Sequence, residues 1–210
     1  MNDKSLNPED KATRRLRQIQ ASHAAIGEFV EAFELLIMLL RVGCMGFIPV
    51  HQQLLDVILH HESMSARPLF DIWRALASVT RSLHAAASPS KEDASDKAVM
   101  DGVMKYIAKE FESAVSNRNM LLHGTWFIGW ANATQTDFSN ISLDKAKVRA
   151  TGVHRLETPT TKEEIIAITQ QIKTLRPLIA EVSCTVKRNE KFGDRFVRNG
   201  NKWLAPQSQA

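Results

Sequence analysis

Arginine, asparagine and histidine stand close together in one short run of this chain, Ser116-Asn117-Arg118-Asn119-Met120-Leu121-Leu122-His123-Gly124. Arginine binds a phosphate through two parallel hydrogen bonds and stays charged, whereas histidine gains or loses a proton near neutral pH. Such residues gathered at one helix end suit work on a phosphodiester. The same residues have a structural alternative. In it Arg118 is a buried cation held by a carboxylate, and His123 is stabilised by the carboxyl end of its helix.

A helix must position these side chains. Met100, Met104, Ile107, Phe111 and Val115 recur at three- and four-residue steps, and the next places on that row are 118 and 122. Arg118 therefore falls where a core side chain is expected. Burial of an unpaired charge costs roughly several kcal/mol, so Arg118 must meet a carboxylate, lie at an interface, or face a groove that receives an anion. Glu112, Ser116, Asn119 and His123 form the neighbouring polar row, with Asn119 and His123 one turn apart, and the helix should end near Gly124.

The rest of the chain reads as further helices around this one. Residues 1–9 are polar and expected to fray, and Leu16, Ile19, His23, Ile26, Val30, Phe33, Ile37 and Leu40 then trace one stripe of a long helix ended by Gly43, Gly46 and Pro49. A shorter helix should carry Leu54, Leu55, Ile58 and Leu59. Pro68 opens or kinks another, with Leu69, Ile72, Trp73, Leu76, Val79 and Leu83 facing inward. Residues 85–97 read as a surface loop running into a helix start, with Ser88-Pro89 as cap and first position. From about 125 to 158 aromatic, β-branched and alternating residues predict a small β-hairpin inserted before the last helix. Thr161-Lys162-Glu163-Glu164 is a capping box, and Ile165, Ile168, Ile172, Leu175, Ile179, Val182 and Val186 follow it as a helical seam. The expectation is a mainly α chain, an up-and-down helical bundle with a hairpin excursion. It occupies residues 10–186 as one domain, and residues 187–210 form a basic tail.

Apolar residues make up 44% and charged residues 24% of the 210, which excludes a disordered chain. The net charge of +4 is too small to mark a dedicated DNA-binding arm. Its sources are uneven, with Arg14, Arg15 and Arg17 near one end and Lys187, Arg188, Lys191, Arg195, Arg198 and Lys202 near the other. On ordinary surfaces such runs are simply solvated. Cys44 and Cys184 read as small buried hydrophobes. The polar N-terminus is unlike a signal peptide and no apolar run suits a membrane span, so a cytoplasmic protein without membrane partners is expected.

Other candidate sites carry less chemistry. His60, His61, Glu62 and His51 invite a metal, but adjacent helical histidines point about 100° apart, so neither a metal nor another cofactor is expected. His23 reads as a hydrogen-bonded core histidine. Arg67 and Asp71 form an i,i+4 pair, either a surface salt bridge or a support for the site. Trp126 and Trp130 either stack on bases or pack over the bundle.

Arg118-Asn119, three further residues and His123, at the end of a late helix in a helical chain, resemble the motif of the HEPN superfamily. In that motif an arginine precedes a histidine by four to six intervening residues. The segment Ala66-Arg67-Pro68-Leu69-Phe70-Asp71 is similar to an earlier HEPN helix with an arginine and an acid four residues on. The hairpin and the capped last helix extend the resemblance over most of residues 20–185. The resemblance implies a metal-independent endoribonuclease, of a bacterial toxin or phage-defence kind, that acts on RNA as a homodimer with both motifs in one cleft. Arg118, His123 and Asn119 would be its catalytic residues, supported by Arg67 and Asp71, with an antitoxin or regulatory protein as a further partner. Thr125 stands where some HEPN toxins carry a tyrosine modified by a nucleotidyltransferase antitoxin, so that route is not implied. The other function the resemblance allows is a non-catalytic module that binds a protein, a nucleotide or RNA.

Overall fold

A computed structural model describes residues 8–48, 59, 64–87, 94–123, 125–128, 141–149 and 152–206. The chain is mainly helical. Helix α1 spans Pro8–Phe47, α2 Ala66–Ala87, α3 Ala94–His123 and α4 Lys162–Lys187. Between α3 and α4 lie β1 (Thr125–Ile128), β2 (Ile141–Arg149) and β3 (Gly152–Thr160), and after α4 come a one-turn helix α5 (Phe192–Arg195) and strands β4 (Val197–Asn199) and β5 (Lys202–Leu204).

The excursion before the last long helix is an antiparallel hairpin, β2 with β3, in register from Ile141 against Thr160 to Arg149 against Gly152. It carries a third strand, because Trp126-Phe127-Ile128 pairs along β2 from Leu143 to Ile141. The sheet runs directly into the helix cap. The Thr161 N–H donates to Glu164 Oε2 at 3.0 Å and the Glu164 N–H to Thr161 Oγ1 at 3.1 Å, the reciprocal pair that the sequence predicts.

The fold divides into two compact units, one of residues 1–33 with 116–170, the other of 34–115 with 171–210. Helices α1, α3 and α4 contribute to both. In the first unit Ser22, Ala25, Phe29, Ala32, Phe33, Leu121, Ile165 and Thr169 are buried. This corrects the stripe predicted at the start of α1: Leu16 and His23 are exposed, and smaller residues one position away from the expected row turn inward. His23 is thus a surface residue.

In the second unit α1, α2, α3 and α4 share a core. Phe70 stacks on Phe111 with ring centroids 4.4 Å apart, and Trp73 is fully buried. The Trp73 indole donates to Ser183 Oγ at 3.0 Å, and Ser183 in turn donates to the Ile179 carbonyl at 2.9 Å. Gly43 admits this arrangement, since a Cβ there would sit 2.7 Å from Trp73 Nε1. The α3 row Met100, Met104, Ile107, Phe111 and Val115 is buried as predicted.

Helix α2 is rotated from its predicted orientation. Its buried residues are Leu69, Phe70, Trp73, Ala77 and Arg81, whereas Val79 and Leu83 are exposed. Of the predicted 54–59 helix only Leu59 is described, and it is buried; Ser88-Pro89 lie outside the described residues. Cys44 is buried as expected, but Cys184 is exposed.

The predicted basic tail folds. Helix α4 ends in a Schellman arrangement, in which the Asn189 N–H bonds to the Val186 carbonyl and the Glu190 N–H to the Thr185 carbonyl, with Asn189 left-handed at φ 54°. Phe192 and Phe196 are then buried, their rings 5.3 Å apart. Strands β4 and β5 form a hairpin whose Trp203 ring closes against Gly102 of α3; a Cβ at Gly102 would meet Cζ2 at 2.8 Å.

Candidate functional site

Along α3 the inner row continues past Val115 through Arg118 to Leu121, which is fully buried, while Leu122 turns outward. The row predicted to reach 122 therefore drifts by one residue, as a 3.6-residue period requires. Arg118 stays on the inner side, half-buried.

The guanidinium of Arg118 lies over the Phe33 ring, with Cζ 6.0 Å from the centroid, and Nη1 donates to Asn119 Oδ1 at 3.3 Å. The aromatic face attracts the cation, and the neighbouring amide restricts the guanidinium plane. Arg118, Asn119 and Phe33 all belong to the first unit. The carboxyl end of a helix carries partial negative charge, so it favours the cation of Arg118 but gives no help in holding an anion. Any attraction for phosphate must come from side chains.

His123 is the last residue of α3, one helical turn beyond Asn119; its side chain lies outside the described residues, as does Gly124. The structure thus brings Arg118 and Asn119 together and gives the backbone position of His123.

The predicted supporting pair does not form. Arg67 Nη2 contacts Glu112 Oε2 of α3 at 2.7 Å, and Asp71 pairs with Arg74 at 3.4 Å. All four of these side chains are more than half exposed. Helical spacing alone suggested the local i,i+4 pair, but Arg67 pairs with a carboxylate on a second helix and Asp71 with Arg74. These residues belong to the second unit.

Among the described residues no group of three histidine, cysteine, aspartate or glutamate side chains could hold a metal ion. His51, His60, His61, Glu62 and Trp130 lie outside the described residues, as does the side chain of Trp126. No helix among the described residues is long and apolar enough to cross a membrane.

The described residues also hold charged arrangements that spacing along the chain does not reveal. In the second unit, buried Arg81 donates to Asp96 Oδ2 at 2.8 Å, to Asn189 Oδ1 at 3.1 Å and to the Glu190 carbonyl at 3.0 Å. Its place on the row of Phe70, Trp73 and Ala77 was the available signal. In the first unit, a cleft of about 640 Å³ opens between the first turns of α1 and the start of α4, with Arg14, Arg17 and Lys162 on its walls. The 3- and 4-residue spacing of Asp10, Thr13, Arg14, Arg17, Gln18 and Ala21 marks one face of α1. No family model, curated protein or solved structure matches the chain.

Proposed function

We propose that the chain is a metal-independent endoribonuclease of the HEPN type, with Arg118, Asn119 and His123 at its centre. The observation that carries this reading is Arg118 itself. It stands on the inner row of α3 yet is not sealed there, and its guanidinium is set by Phe33 and Asn119 at the end of the helix that His123 closes. Such a cation is oriented before any ligand arrives, which is the condition for electrostatic stabilisation of a phosphoryl group without reorganisation.

In the proposed reaction the 2′-hydroxyl of RNA attacks the adjacent phosphorus. The bond from phosphorus to the 5′-oxygen breaks, leaving a 2′,3′-cyclic phosphate and a free 5′-hydroxyl. One imidazole takes the proton of the 2′-hydroxyl and another gives a proton to the departing oxygen. Arg118 stabilises charge on the non-bridging oxygens, and Asn119 holds the guanidinium. Two imidazoles on opposite sides of phosphorus require two chains, so the reading includes a two-fold dimer with α3 of each at the shared cleft.

The test is cleavage of a labelled RNA in excess chelator by the wild type, His123→Ala and Arg118→Ala. Each substitution should lower the rate by about a hundredfold or more with the fold retained. Undiminished cleavage in both variants, or cleavage of the matching DNA oligonucleotide, would contradict the mechanism. A folded dimeric wild type that binds RNA without cutting it would instead support the non-catalytic module.

A further inference from the structure

We draw no further inference here: the strongest candidate, the apolar stripe of α2 on which Val79 and Leu83 are exposed beside half-buried Ile72 and Leu76, carries nothing because nothing in the structure shows what covers it.

Discussion

Two arginines of this chain stand on apolar helical rows, and the structure uses them differently. Arg81, in the second unit, is buried with its guanidinium on Asp96, Asn189 and the Glu190 carbonyl, and over the Phe192 ring at 5.9 Å. Arg118, in the first unit, also lies over a phenylalanine, at 6.0 Å, but is half-buried and donates to the amide beside it. The cation–ring geometry is nearly the same. What differs is burial. A guanidinium withdrawn from water must have its charge matched within the fold, and Asp96 does this, with its other oxygen accepting the Gly193 N–H at 2.9 Å. A guanidinium that is only half-buried keeps part of its hydration, so the fold need not match its charge in full. An arginine on an apolar row is therefore an ambiguous sign, and the environment of its charged head decides between a staple and a site.

The comparison breaks if the two positions respond alike to truncation. Arg81→Ala leaves the Asp96 carboxylate buried without its counter-ion and should cost about 3–5 kcal/mol in urea unfolding. Replacing the pair together, Arg81→Met with Asp96→Leu, should restore part of this loss. The Gly193 N–H would still lack its acceptor, which holds back about 1–3 kcal/mol. Complete recovery would show that the network contributes no more than its volume. Gly102→Ala, which drives a methyl into the Trp203 ring, should cost about 1–3 kcal/mol. It should also speed proteolysis within the β4–β5 hairpin. Arg118→Ala should cost under about 1 kcal/mol, because the cation–ring contact is partly solvated. A loss there as large as at Arg81 would place Arg118 among the structural residues.

How far these roles could be read from residues alone follows from the range of each signal. The α3 row and the Thr161–Glu164 cap are local: their spacing lies within a few turns of one helix, and they appear where predicted. The α2 row was misjudged because Val79 and Leu83 are the larger apolar side chains, whereas Ala77 and Arg81 occupy the inner positions. Nothing within α2 announces that Asp96 and Asn189 wait for Arg81. The same holds for residues 191–204, whose charges suggested a solvated tail until Phe192, Phe196 and Trp203 found their places. At the candidate site, Arg118 and Asn119 were legible from spacing, but Phe33 was not, since it comes from a distant part of α1. Arg67 and Asp71 failed as a pair because spacing names a possible partner without weighing competitors such as Glu112.

The smallest expected effect sharpens the comparison through the two thiols. Cys184 is exposed and should react promptly with a thiol reagent at mildly alkaline pH, while Cys44 is buried and its thiol is pushed up to about 12 by that burial. A folded value above the ordinary one means that the unfolded chain releases this proton first. The contribution of Cys44 to stability is therefore whole below the usual thiol range and declines as pH climbs toward about 12. At lower pH its labelling rate reports how often the second unit opens. Arg81→Ala weakens that unit and should accelerate the slow thiol, whereas Arg118→Ala, whose described partners belong to the other unit, should leave both rates as in the wild type. Equal acceleration by the two substitutions would mean that the arginines brace one cooperative structure, and Arg118 would then lose its claim to be held for a ligand.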